Sequence, residues 1–178
     1  MPELILPDPQ VLASFLDGRR QAITEGMTGE ATSMGSEGPR HDTGWHSEEA
    51  FVDYIAAVLA DALEDSPRAA TFVPQTTLWW VDGEDYLGRI SVRHRLTDFL
   101  LEVGGHIGYY VVPSRRREGH ATAMLRAVLP AAHRIGVDPA LVTCDETNLA
   151  SRKVIEAAGG VLEDRRGVKL RYWVPTAP

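Results

Sequence analysis

The sequence predicts an α+β fold, a central mixed, mostly antiparallel sheet flanked by about four helices, and three stretches carry that expectation. In 104–122 an alternating apolar strand, a basic turn containing glycine and a helix start follow one another without a break. In 77–95 two strand-like runs are joined through Gly83 as a hairpin. The run 140–144 is apolar and comes only after a helix, which places it as a parallel neighbour of the strand before that helix. At 178 residues the chain reads as one domain, 1–178, long enough to bury a core, and no repeat or linker divides it.

Glu3-Leu4-Ile5-Leu6 is a short apolar run ended by Pro7, as an edge strand would be. Asp8 and Pro9 then supply a cap and a first-position proline for a helix reaching Gly26, with Val11, Phe15 and Ile23 on its apolar face. Residues 27–42 are rich in Gly, Ser, Thr and Glu and read as a mobile loop. Ser47, followed by Glu48 and Glu49, starts a second helix whose apolar face runs Phe51, Tyr54, Ile55, Val58, Leu59 and Leu63. In the hairpin, Trp79 and Trp80 point to opposite faces, one toward the core and one toward a substrate. Arg89, Arg93, His94 and Arg95 read as a solvated strand face. Phe99 to Val103 leads into the strand 105–112, and Pro113 ends that strand.

From Gly119 the residues Met124, Leu125, Val128 and Ala132 recur at helical spacing to about Ile135, across Pro130, and Gly136 is the stop. The start of such a helix presents unpaired N–H groups and the positive end of its dipole, which favour an anion. Gly119 lets that anion approach the backbone, and Arg115, Arg116 and Arg117 add charge at the same mouth, so a phosphate ester fits. Neither Gly-x-x-x-x-Gly-Lys-Ser/Thr nor Gly-x-Gly-x-x-Gly occurs. After the strand 140–144 come Asp145 and Asn148, a helix carrying Ser151, Val154 and Ile155 up to Gly159-Gly160, and a closing pair of strands around a charged turn.

Arg116-Arg117-Glu118-Gly119-His120-Ala121 reads Arg-x-x-Gly-x-Ala and resembles the pyrophosphate loop of the GNAT superfamily of acyl-CoA N-acetyltransferases. Asn148, Ser151 and Gly159 match that family's later Asn-x-x-Ala/Ser-x-x-x-Tyr-x-x-x-Gly pattern, with Ile155 in place of the tyrosine. The resemblance covers 76–174 best and leaves 1–75 as acceptor-side helices and loop. It implies a parallel strand pair splayed by a β-bulge, with acetyl-CoA as co-substrate and no metal. It also implies that Tyr109, Tyr110 and Val111 meet pantetheine, and that Arg116, Arg117, Gly119, His120, Ala121 and Thr122 hold the diphosphate, with Asn148 and Ser151 beside them.

The implied reaction moves an acetyl group to a primary amine of a small molecule or peptide. The amine must first lose a proton, since an alkylammonium has a pKa of about 10.4. His106 is the first candidate base, because relatives carry a carboxylate at that place, and a hydrogen-bonded structural histidine is the alternative. Glu102 and Asp145 are the other candidates. Ile155 cannot protonate the leaving thiolate, which leaves Ser151, Tyr109 or water. The loss of that tyrosine keeps a second class open, an acyl-CoA-binding module without turnover. A nucleotide-binding α/β domain is a more distant reading.

A net charge of −7 argues against nucleic-acid partners and suits a cationic or amine substrate. Cys144, the single cysteine, forms no intramolecular disulfide and reads as a small core residue, as in a reducing cytoplasm. No signal peptide or bilayer-spanning run is legible, so a cytoplasmic protein without membrane contact is expected. His41 and His46 lack the companions a metal site needs, and a homodimer is left open.

Overall fold

A computed structural model describes residues 1–26 and 47–177. The expected loop at 27–42, with His41 and His46 at its end, lies outside them. Strands β1 (Glu3–Ile5), β2 (Gln75–Asp82), β3 (Asp85–Arg93) and β4 (Ile107–Val111) form one antiparallel sheet in that order. A second antiparallel sheet has the order β5 (Ala140–Asp145), β7 (Lys169–Val174), β6 (Val161–Arg166). Among the described residues, four α-helices surround them: α1 (Leu12–Thr24), α2 (Glu48–Ala60), α3 (His120–Ile135) and α4 (Leu149–Ala157).

The local signals acted as side chains. Asp8 accepts a hydrogen bond from the Gln10 N–H, although the turn it caps is a 3-10 turn, Pro9–Val11, that precedes α1. Ser47 accepts from the Ala50 N–H at 3.1 Å and starts α2, with Glu48 and Glu49 at the positive end of its dipole. Gly136, in the left-handed region at φ 96°, closes α3, and Pro130 lies inside that helix without ending it. Val161–Arg166 and Lys169–Val174 pair as the expected closing hairpin. None of the helices is long and apolar enough to cross a membrane, among the described residues.

The first sheet is covered on both faces. Against one face α1 and α2 pack an aromatic cluster: Phe15 lies 5.1 Å from Phe51, 5.2 Å from Trp79 and 5.0 Å from Tyr86, centroid to centroid. Against the other, α3 brings Met124, Leu125, Val128 and Ala132 onto Ile90, Val92 and Ile107, and this aliphatic core continues through Val142, Ile155 and Tyr172 into the second sheet. Several sequence readings are corrected here. Both tryptophans are core residues, Trp79 in the aromatic cluster and Trp80 in the aliphatic one. Arg89 does not face solvent but is 1 % exposed, and burial brings its pKa down to about 9. Leu59 and Leu63 lie on the surface rather than in the apolar face of α2.

The two sheets meet where β4 and β5 begin. The His106 N–H donates to the Leu141 carbonyl at 2.7 Å, and the Leu141 N–H donates to His106 Nδ1 at 2.9 Å. Beyond that point the strands belong to different sheets, so the splay expected of the parallel pair is complete. Its cause differs from the expected bulge in the 105–112 strand. The β3–β4 register runs unbroken from Gly88↔Val111 to Val92↔Ile107, and the shift lies one strand further out, at Trp80/Val81 of β2. Gly105 makes the junction possible: at φ 63°, a Cβ there would stand 2.5 Å from the Leu141 carbonyl oxygen.

Candidate active site

A cavity of about 1110 Å³ passes between the splayed strands. At one end it is lined by Arg115, Arg116, Arg117, Gly119 and Thr122, at its middle by Gly108, Tyr109, Cys144 and Ser151, and at the other end by Phe99, Leu100 and Val103. Arg93, Asp145 and Lys169 also border it.

The first end gathers backbone N–H groups and arginines, an arrangement that favours an anion. Gly119 sits at φ 86° as the N-cap of α3 with no side chain capping the first turn, so those N–H groups face the cavity mouth. An added Cβ at Gly119 would meet no atom within 4 Å, so open space lies where a diphosphate would approach. Arg117 is also left-handed, at φ 68°. Arg116 is fixed by three neighbours: its Nε donates to the Val111 carbonyl at 3.2 Å, its Nη1 meets Glu25 at 2.8 Å, and its guanidinium lies 5.8 Å from the Tyr110 ring centroid. His120 takes the Trp80 Nε1–H on Nδ1 at 3.2 Å and faces Glu118 at 3.2 Å through Nε2, which makes it part of the wall. Ala121 packs on the aliphatic core, and Thr122 lines the mouth.

In the middle, the hydroxyls of Tyr109 and Ser151 share a hydrogen bond of 2.6 Å across the gap between β4 and α4. Burial pushes Tyr109 up to about 12, so it is protonated at neutral pH. Asn148 caps α4 by accepting from the Ser151 N–H at 3.0 Å. Tyr110 and Val111 are buried, Tyr110 in the aromatic cluster and Val111 in the aliphatic one, while both still border the cavity. Cys144 is a buried thiol whose pKa burial raises, as a core residue's would be.

The three sequence-derived base candidates separate. The His106 ring is held at the sheet junction, and its pKa is pushed down to about 4 by burial and by Arg93. Glu102 pairs with Arg166 on an exposed surface. Asp145 lines the cavity and meets Lys169 at 2.7 Å.

The 100–104 segment, which the sequence presents as a lead into the strand, takes a different form. It is a π-helical turn, Leu100–Gly104, with the Gly105 N–H donating to the Leu100 carbonyl at 2.6 Å. Gly104-Gly105 after an apolar run was the available signal that the chain stops and turns there.

Residues 25–161 match the profile of the acetyltransferase (GNAT) domain. The chain belongs to the GNAT acetyltransferase family. Solved structures with the same fold include the microcin C7 self-immunity acetyltransferase MccE in complex with acetyl-CoA and AMP, at 13% identity and TM-score 0.63, covering 98% of this chain and 92% of that one. Mycobacterium smegmatis RimJ in complex with CoA-disulfide aligns at 15% identity and TM-score 0.64, covering 98% and 81%. RimL, a ribosomal L7/L12 alpha-N-protein acetyltransferase, aligns at 14% and 0.60, covering 98% and 90%. A search of curated proteins returns no match. Against the GNAT pattern the notable departure is Ile155, which is fully buried in the aliphatic core. Among the described residues no cluster of His, Cys, Asp or Glu could hold a metal ion.

Proposed function

We propose that this GNAT protein transfers an acetyl group from acetyl-CoA to a primary amine by direct attack. One observation carries the reading: an uncapped helix start at Gly119, flanked by three arginines, opens into a cavity that continues between β4 and β5. The start of α3 and Arg116–Arg117 bind the diphosphate, and β4 lays the pantetheine arm along the gap toward the junction with β5. Acetyl-CoA supplies an activated thioester there.

The protein's own groups then have three tasks. His106 fixes the start of β4 against β5 and so positions the strand. Asp145, the one candidate carboxylate on the cavity wall, takes the ammonium proton directly or through water. The Tyr109–Ser151 pair donates a hydrogen bond to the departing thiolate. With Tyr109 near 12 and a thiol near 8.5, it does so without giving up its proton. RimL, an alpha-N-protein acetyltransferase of this fold, supports peptide amines as one class to assay, and small-molecule amines are the other.

A second reading, an acyl-CoA-binding module without turnover, is favoured by Ile155 at the place of the family's tyrosine. Thiol release from acetyl-CoA across an amine panel separates the two: release supports the enzyme, and calorimetric binding without release supports the module. Asp145→Asn is expected to lower kcat about 100-fold or more while coenzyme affinity changes little. An unchanged kcat would remove Asp145 from the mechanism.

A further inference from the structure

The cavity has an end that the coenzyme site does not explain. Strand β4 runs from the π-helical turn at its start to the arginine mouth past its end, so the two ends of the cavity are separated by the whole length of that strand. The turn is pinned from several directions. Leu101 N–H donates to the Thr97 carbonyl at 2.8 Å, Thr143 Oγ1 donates to the Val103 carbonyl at 2.7 Å, and Arg93 Nη1 donates to the Gly104 and Gly105 carbonyls at 3.2 and 3.0 Å. Glu102 adds its ion pair to Arg166. A turn held this firmly nevertheless leaves Phe99 68% and Val103 37% exposed, both on the cavity lining beside buried Leu100 and Ile107. Fixed apolar side chains facing water in a concave site are stabilised by an apolar group that covers them.

We infer that this end is an acceptor pocket for primary amines bearing an apolar group close to the nitrogen, with Phe99 and Val103 as its specificity-determining side chains. The inference rests on the acetyl-transfer reading, which requires the amine to enter the gap opposite the diphosphate. The nitrogen reaches into the β4/β5 gap while the apolar group lies on Phe99 and Val103. Glu102, engaged by Arg166, does not meet the ammonium, which is left to Asp145 on the cavity wall.

The test uses the full chain with 2-phenylethylamine and ethylamine as acceptors, and measures calorimetric binding of 2-phenylethylamine to the CoA-saturated protein. Phenylethylamine is expected to have the higher kcat/KM, and Phe99→Ala to lower the phenylethylamine-to-ethylamine ratio about tenfold, with Val103→Ser acting in the same direction. Both side chains are exposed enough for the variants to fold. An equal fall for both amines, or an unchanged ratio, overturns the pocket. So does a variant that alters preference among acyl-chain lengths instead, since it assigns this end to the acyl group. Failure of the acetyl-transfer reading looks different: no amine releases thiol. In that event phenylethylamine binding that weakens in Phe99→Ala upholds the pocket, and no such binding overturns it.

Discussion

The two sheets are built on different principles. In the first, β3 buries every residue from Tyr86 to Val92, Arg89 included, because helices cover both faces. In the second, β6 buries none of its residues and leaves Val161 and Leu162 on the surface. That edge strand is tied by charge: Arg171, 2% exposed, meets Glu163 and Asp164 at 3.0 Å each. The first sheet is therefore the scaffold, held by apolar burial. The second is a wall, held to the scaffold through the aliphatic core and the His106–Leu141 hydrogen bonds, and the cavity lies in the gap between them.

Substitutions can break or sharpen this contrast. Phe15→Ala, in the scaffold's aromatic cluster, is expected to cost about 3–5 kcal/mol in denaturant unfolding. A loss under about 1 kcal/mol would deny the scaffold its role. Gly119→Val, at the cavity mouth, is expected to weaken CoA binding by at least about 100-fold, roughly 2.7 kcal/mol, by calorimetry. A left-handed β-branched residue also costs about 1–3 kcal/mol of stability there. Unchanged CoA affinity would remove the diphosphate from this mouth.

At the junction, His106→Ala leaves the Leu141 N–H without its acceptor and is expected to destabilise by about 1–3 kcal/mol. The same histidine sets a pH dependence. Its folded pKa of about 4 lies below the ordinary 6.5, so the unfolded chain takes up the extra proton between those values. Stability contributed there is full above about pH 6.5 and declines as pH falls toward about 4. Denaturation midpoints at pH 7, 5.5 and 4 should show that decline, and His106→Asn should flatten it. The smallest effect belongs to the wall: Leu162→Ser, about half exposed, is expected to stay within about 0.5 kcal/mol of the parent.

What was legible in the sequence was local. Ser47, Asp8, Gly119 and Gly136 each act through hydrogen bonds or dihedrals within one turn, and each appears where its residue type placed it. What was hidden depends on partners far away in the chain. Arg89 reads as surface because charge is costly to bury, and only the covering of both sheet faces places it inside. The π-helical turn escaped because Leu100-Leu101-Glu102-Val103-Gly104 is too short to show a period that separates turn from strand. His106 shows its structural side only beside Leu141, which lies 35 residues further on. Tyr109 and Ser151, 42 residues apart, meet only because β4 and α4 border the same gap.

Fastening the sheets at a single end also turns β4 into a ruler. Five residues at about 3.3 Å each set a reach of roughly 16 Å from the junction of the sheets toward the arginines. A phosphate-anchored arm much shorter than that leaves its tip stranded short of the junction, and a much longer one has to buckle. Under the proposed binding mode of acetyl-CoA, this reach is what the donor's arm would have to match.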